Sequence, residues 1–521
     1  MNQALFTKLL EYFQITETQY HELIAPVSKE NFFGDRKFLR AEGAADLVRS
    51  VMKENGKIII YGDYDADGIM GTSILVKMFA YNDYKVDYYI PNRYQDGYGL
   101  TLKHAQEYVD AKYDLVICVD NGIGAYEPIK LLKDNGVKVL VLDHHQAQDT
   151  LPVADEILHP QVSKFSSVAS SGAFVAFMFS MTFLGRFDKY LSTLAAISTI
   201  TDMMPLKETN RNLLRLVFKH YEEGEFLPID LLKETDPFDE NTIGMKIGPK
   251  INSVGRIVDN PEINKMVEYF TTDNKETILN YIDWINTTNE ERKNISKEAT
   301  DCLPKDMENE KAIIYITEAK EGLLGLIANH LCSKYRVPTI VLTKDSNGDA
   351  YKGSCRAPEG YNVVEIFNSL NDLLLTGGGH AGAGGCTFLM SNLEEFKKRF
   401  IALAESTYIE PTEKVTIPMT ITEINFDNYR LIKSFSPFGE SWPAPSFKLR
   451  RINTHSLFFS KNSEHILTQL GMSTRLTGFN FPKREVTQYP FIDVVGTLRT
   501  SVFRNMTSVE FLIKELKESA K

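Results

Sequence analysis

The run Lys57–Gly68, KIIIYGDYDADG, joins a short isoleucine-rich stretch to a turn bearing three carboxylates at alternate positions, Asp63, Asp65 and Asp67. Its first half is brief, β-branched and bounded by glycine, which reads as a strand buried on both faces. Two later runs repeat the pattern: Asp114–Val119 (DLVICV) leads into Asp120, and Val137–Leu142 (VKVLVL) leads into Asp143-His144-His145. Thr72–Ala80 and Tyr126–Asn135 have helical spacing between these runs, so the alternation predicts a doubly wound parallel sheet. Ligands of such sheets bind beyond the carboxyl ends of the strands, where loops converge. An acidic turn taken alone is compatible with a solvated loop. Three strands delivering Asp or His to one edge outweigh that reading, and Asp202, after the apolar helix Leu191–Ile200, is a fourth contributor.

The chain has 521 residues, long enough for roughly three or four domains. With 43% hydrophobic and 24% charged residues it has the composition of a soluble globular protein. Five cysteines without CxxC spacing, Cys118, Cys302, Cys332, Cys355 and Cys386, support neither a disulfide framework nor a thiolate zinc site, and a reducing cytoplasm is the expected location. The N-terminus lacks the apolar core of a signal peptide. Phe165–Gly185 carries no charge up to its last residue and is long enough to span a membrane, but its serines and its position between site motifs favour a buried core helix.

Charge is distributed unevenly. The net charge of −11 argues against bulk coating of nucleic acid, yet residues 411–521 hold 15 Lys and Arg against 10 Asp and Glu. A basic C-terminal module is thus attached to an acidic α/β body. Between them, Thr209–Cys302 is polar and helix-like. Strand-like Ala312–Ile316 and Pro338–Leu342 flank a helical Gly325–Tyr335, followed by the glycine cluster Gly377–Gly385. Beyond Pro411, short alternating segments such as Val415–Ile421 and Asp493–Leu498 suggest a β-barrel.

Carboxylates and imidazoles without thiolates suit a hard or borderline divalent ion such as Mn²⁺ or Mg²⁺. There are enough of them for two ions sharing a bridging water, an arrangement suited to phosphoester hydrolysis. The ordered set Asp63–Gly68, Asp120, Asp143-His144-His145 and Asp202 resembles the four motifs of the DHH phosphoesterase family. Further segments resemble its RecJ branch of single-strand-specific 5′-to-3′ DNA exonucleases: Pro91-Asn92-Arg93 with Gly97-Tyr98-Gly99, Gly248–Arg256 (GPKINSVGR), Lys352–Arg356 (KGSCR), Gly377–Gly385 (GGGHAGAGG) and Ser436–Phe447 (SPFGESWPAPSF). The likeness runs from about Ile58 to near the C-terminus. It implies a DHH domain with an N-terminal helical segment (1–208), a helical connector (209–302), a DHHA1 domain (303–406) and an OB-like barrel (407–521).

By position, the resemblance assigns Asp63, Asp65, Asp67, Asp120, His144 and Asp202 as metal ligands, Asp63 as ligand or supporting acid. His145 is expected to face the scissile phosphate or donate to the leaving oxygen, with Asp143 orienting the histidine pair. Arg93, Arg256, Ser354 and Arg356 are implied to hold a terminal phosphate, and His380 to stand beside the metals. The run Gly377–Gly382 also fits GxGxxG, but Cys386-Thr387-Phe388 reads as a strand where a dinucleotide fingerprint needs a helix. In the C-terminal module Lys448, Arg450, Arg451, Arg475, Lys483, Arg484, Arg499 and Arg504 are interleaved with Phe458, Phe459, Phe479 and Phe481. Such a mixture suits single-strand binding, although most of these phenylalanines are expected to fill the barrel.

Two departures from the RecJ pattern stand out. Lys320-Glu321 replaces a Trp-His pair, and Ser253-Val254 replaces two alanines. The expectation is a monomeric exonuclease of single-stranded DNA, with a helicase or single-strand-binding protein as the accessory partner the resemblance allows and no membrane association. The alternatives are a DHH phosphodiesterase of short oligoribonucleotides or cyclic dinucleotides, and a non-catalytic single-strand-binding replication protein.

Overall fold

The computed structural model describes residues 2–28, 32, 39–92, 96–164, 169–257, 262–301, 310–345, 348–410, 415–503 and 506–519. Arg93, Cys302 and Arg504 therefore lie outside the described residues. The chain divides into two compact units, Phe33–Met204 with Val217–Thr412, and Met1–Phe32 with Pro205–Leu216 and Glu413–Lys521.

The larger unit contains two sheets. The first has β1 (Ile58–Tyr61), β2 (Asp87–Tyr89), β3 (Leu115–Val119), β4 (Lys138–Leu142) and β5 (Glu156–Leu158). Its order is β2-β1-β3-β4-β5, and every pairing is parallel. β1 and β3 are buried along their whole length, as their unbroken apolar sequence requires. The three strands identified from the sequence are thus the central three. The edge strands β2 and β5 each have three residues, too few to display a period.

Helix Gly172–Leu184 accounts for most of the uncharged segment. It is buried on every side, with Phe174, Phe177 and Phe179 inaccessible. It is a core helix, and among the described residues no helix is long and apolar enough to cross a membrane. Ser171 caps its N-terminus by accepting from the Phe174 amide, and Gly185, in the left-handed region, ends it.

The second sheet runs β6 (Ile313–Ile316), β7 (Thr339–Lys344), β8 (Ala350–Arg356), β10 (Ala383–Leu389) and β9 (Leu374–His380). The glycine cluster forms the β9–β10 hairpin, so a strand does occupy the place where a dinucleotide fingerprint would require a helix. The intervening polar region is helical and includes the π-helical turn Ile243–Ile247 and helix Gly248–Ile257.

In the smaller unit, β11 (Ile417–Pro418), β12 (Phe447–Asn453), β13 (Ile466–Gly471), β14 (Thr474–Gly478), β15 (Phe491–Phe503) and β16 (Met506–Glu518) form one sheet in the order β11-β12-β15-β16-β14-β13. The strand expected over Val415–Ile421 shrinks to β11, because a 3₁₀ turn capped by Thr420 begins at Ile421. The described residues 2–28, grouped by sequence with the first domain, pack here instead. Leu5, Phe6 and Leu9 of helix Gln3–Phe13 share a core with Ile432 and Phe435, and Phe13 stacks on Trp442 at 4.5 Å. The helix has an apolar stripe, but a stripe does not name the surface that covers it.

Candidate metal centre

β1, β3 and β4 end side by side, and their next residues form the site. Asp65 begins helix Ala66–Ala80 as its N-cap, accepting from the amides of Asp67 at 2.9 Å and Gly68 at 3.2 Å. The turn is braced from the connector, where Asn252 Oδ1 accepts from the Ala66 amide at 2.9 Å. Asp67 faces a second helix start, accepting from the amides of Gly172 at 2.6 Å and Ala173 at 2.7 Å and from the Ser198 hydroxyl. The positive end of helix Gly172–Leu184 thereby holds an anion in place. Gly172 is required there, since a Cβ would lie 2.7 Å from Asp120 Cβ.

Asp120 adopts φ +61°, in the left-handed region that aspartate and asparagine enter more readily than other non-glycine residues. The adjoining Asn121 amide group donates to the carbonyls of Tyr61, Gly62 and Val119, locking the ends of β1 and β3 together. On the next strand, Asp143 accepts from the Ile123 amide at 2.9 Å, the His144 amide at 2.7 Å and His145 Nδ1 at 2.8 Å. The two imidazoles point differently, as adjacent residues must. His144 Nε2 lies 3.1 Å from Asp120 Oδ1, 3.5 Å from Asp67 Oδ2 and 3.6 Å from Asp202 Oδ2. His145 is turned toward Asp143 and the hydroxyl of Tyr98.

The electrostatics mark a cation site. Asp202 is pushed up to about 9, first by burial and then by Asp67, Asp65 and Asp63, and burial with the same neighbours raises Asp120 well above the carboxylate range. Burial lowers His144. Burial also disfavours ionised Asp143, but its bonds from His145 and the amides of Ile123 and His145 prevail and hold it at about 2. His145 is correspondingly raised: burial opposes its charge, and the Asp143 bond wins. Buried carboxylates that resist ionisation and crowd one another are what a divalent ion relieves. Asp202 Oδ2 is buried and accepts no hydrogen bond among the described residues.

Among the described residues, three sets of groups could hold an ion, each with ligand atoms mutually within 4.8 Å: Asp63 with Asp65 and Asp120; Asp67 with His144 and Asp202; and Asp120 with His144 and His145. Asp120 and His144 each belong to two sets, which suits two neighbouring ions. The donors are oxygen and imidazole, the chemistry that suits Mn²⁺ or Mg²⁺.

The structure therefore gathers Asp63, Asp65, Asp67, Asp120, Asp143, His144, His145 and Asp202. His380 is not in that cluster; it is exposed at the turn end of β9. It lies in register with Ala383, which pairs with Arg356, so all three share one row of the second sheet. Ser354 accepts from Arg356 at 3.2 Å and occupies the same face two residues away. Arg256 ends helix Gly248–Ile257 and donates to the Gly322 carbonyl at 3.2 Å. Arg93 lies outside the described residues. Reasoning from sequence missed Ser171 and Ser198, and quoted Asn252 and Tyr98 within family-like segments without giving either a role. A serine before an apolar helix was a capping signal for Ser171; no local signal pointed from Ser198 to Asp67.

In the smaller unit the phenylalanines divide. Phe459 and Phe481 pack on the core, whereas Phe458 and Phe479 are 68% and 48% exposed. Arg499 pairs with Glu510 at 2.9 Å and lies 5.8 Å from the centre of the Phe479 ring, and Lys448 is 3.6 Å from Asp493.

Comparison with known proteins agrees with this geometry. Residues 57–204 match the N-terminal domain of the DHH family, residues 309–406 the DHHA1 domain and residues 415–515 the RecJ OB domain. The chain is 28% identical to the single-stranded-DNA-specific exonuclease RecJ of Bacillus subtilis, over 91% of this chain and 62% of that protein. It therefore spans less than two thirds of that relative's length. It is 27% identical to the RecJ of Haemophilus influenzae, over 91% of this chain and 89% of the relative. The crystal structure of Thermus thermophilus RecJ in complex with Mn²⁺ superposes with a TM-score of 0.81 at 23% identity, covering 100% of this chain and 79% of that one. The chain thus carries a DHH-family domain, a DHHA1 domain and a RecJ OB domain in that order, and is similar to RecJ proteins over most of its length.

Proposed function

We propose that the chain is a metal-dependent 5′-to-3′ exonuclease that hydrolyses phosphodiester bonds of single-stranded DNA, serving DNA repair or recombination. The observation that carries this reading is the convergence of Asp63, Asp65, Asp67, Asp120, His144 and Asp202 on one sheet edge. These six are the proposed ligands of two ions, Mn²⁺ or Mg²⁺. When bound, the ions would supply a water of lowered pKa and stabilise the attacking and leaving oxygens of an in-line displacement.

The remaining steps belong to side chains. Asp143 accepts from His145 Nδ1 and so orients the ring, and His145 is proposed to face the reacting phosphate or donate to the leaving oxygen. The row of Arg356 and His380 with Ser354 beside it, together with Arg256 and Arg93, is proposed to grip the terminal phosphate, arginine meeting it through two bonds at once. His380 is proposed to act on the substrate from this second sheet. The C-terminal module is proposed to bind the strand through its basic residues and the exposed rings of Phe458 and Phe479. The names of the relatives support strand specificity. The proposed setting is the cytoplasm, with the protein a monomer working alongside a helicase or a single-strand-binding protein.

The test is incubation of the full chain and Mn²⁺ with end-labelled single strands, duplexes and short RNAs. Stepwise release of mononucleotides from the 5′ end of single strands is expected. Loss from the 3′ end, or cleavage of very short RNA alone, would defeat the reading; binding without cleavage would make the chain a single-strand-binding protein.

A further inference from the structure

We infer that Tyr98 is a positioning residue for His145, holding the imidazole through its hydroxyl; the inference rests on the hydrolytic reading above. The Tyr98 hydroxyl lies 2.8 Å from His145 Nε2 and 3.2 Å from Nδ1, and the two rings meet edge to face with centroids 5.5 Å apart. Nδ1 is already engaged by Asp143 at 2.8 Å. The imidazole is thus held by both a carboxylate and a phenol, and rotation about its last side-chain bond would break both contacts.

Tyr98 is 54% exposed, so packing alone does not hold it. The backbone does. Gly97 and Gly99 flank it with φ +80° and +73°, and a Cβ at either position would meet nothing within 4 Å. Glycine is therefore demanded by conformation and not by space. Both ends of this turn are anchored. Before it, the Asp96 carboxylate accepts from the Tyr89 hydroxyl at 2.7 Å and the Asn92 amide at 2.8 Å, and lies 3.4 Å from His104 Nε2. After it, the Gly99 carbonyl accepts from the Tyr61 hydroxyl at 2.9 Å. Tyr61 closes β1, the strand that delivers Asp63, so the phenol and the metal-binding turn are referred to one rigid element.

A double-mutant cycle with Tyr98→Phe and His145→Asn tests this, measured as single turnovers of a labelled single strand. Tyr98→Phe should lower the rate about five- to ten-fold, the size of one hydrogen bond, with KM and Mn²⁺ affinity unchanged. In the His145→Asn background the same change should have no further effect. Gly97→Ala, which strains the turn, should reproduce the loss in the wild-type background. Full activity of Tyr98→Phe, or an equal loss with and without His145, would overturn the inference. Inactivity of the wild-type chain would instead defeat the hydrolytic reading. In that event the His145 ring nitrogen resonances of histidine-labelled protein still decide: they should move in Tyr98→Phe, and unmoved resonances would end the inference.

Discussion

His144 Nε2 lies 3.1 Å from Asp120 Oδ1, so an imidazole and a carboxylate from neighbouring parallel strands share one small volume with Asp67 and Asp202. Such a cluster opposes folding when empty and favours it when filled. Mn²⁺ at a hundred times its dissociation constant should add about 2.7 kcal/mol of stability. Asp120→Asn should remove most of that gain and the hydrolytic activity, while raising the melting temperature in chelator by roughly 2–4 °C for each kcal/mol of repulsion relieved. Calorimetric melts with EDTA and with Mn²⁺ check both signs. A variant that loses stability in chelator and keeps the Mn²⁺ gain would place the ions elsewhere.

Ser198 donates to Asp67 from helix Lys189–Thr201, while the amides of Gly172 and Ala173 hold the same carboxylate. Groups that orient a ligand set its affinity. Ser198→Ala should weaken Mn²⁺ about 10- to 100-fold while leaving the maximal rate at saturating metal nearly intact. Isothermal titration and a rate series against Mn²⁺ concentration would show it, and unchanged metal affinity would assign Ser198 to packing.

The central sheet was legible because Ile58–Tyr61, Leu115–Val119 and Lys138–Leu142 are continuous apolar runs, each followed by acids or histidines. Chain order therefore disclosed which strand ends meet. What it left hidden was long-range: Gly172 reaches Asp67 across 105 residues, and no local spacing encodes that bond. The same limit applied to residues 2–28, whose apolar helix face fits more than one surface. It also applied to His380, whose row on the second sheet follows from a hairpin register that a glycine-rich segment leaves unspecified.

Glu234 bonds Lys250 Nζ at 2.7 Å and Lys246 Nζ at 2.9 Å, tethering the helix that carries Asn252 and Arg256. These lysine bonds, together with the lysines' charge, outweigh burial and bring Glu234 down from 4.5 to about 2. A depressed carboxyl contributes stability that is fully present above its unfolded value and is lost as pH falls through the window from about 4.5 to about 2. Glu234→Gln should therefore be less stable than wild type at neutral pH and converge with it near pH 2. The carboxylate is half exposed, so the difference is small and measurable only as a shift in acid-unfolding midpoint. Parallel acid-unfolding curves for the two proteins would remove Glu234 from this role.

Phe479 presents a half-exposed ring with Arg499 beside it, and Arg499 is shared with the buried Glu510. An aromatic face supplies stacking that salt does not screen, whereas a cation supplies a term that salt does. Phe479→Ala should therefore weaken single-strand binding by about 1–3 kcal/mol with an unchanged salt slope. Replacing a cation such as Arg450, exposed on β12 and without an ion pair among the described residues, should flatten the slope of log affinity against log salt by a little under one unit. Arg499→Ala should fall between the two, since Glu510 already neutralises part of its charge and its loss leaves that carboxylate buried without its partner. Fluorescence anisotropy with a labelled oligonucleotide at several salt concentrations separates the three. If Phe479→Ala changed the slope but not the affinity at high salt, the ring would be a spacer for Arg499 and not a stacking surface.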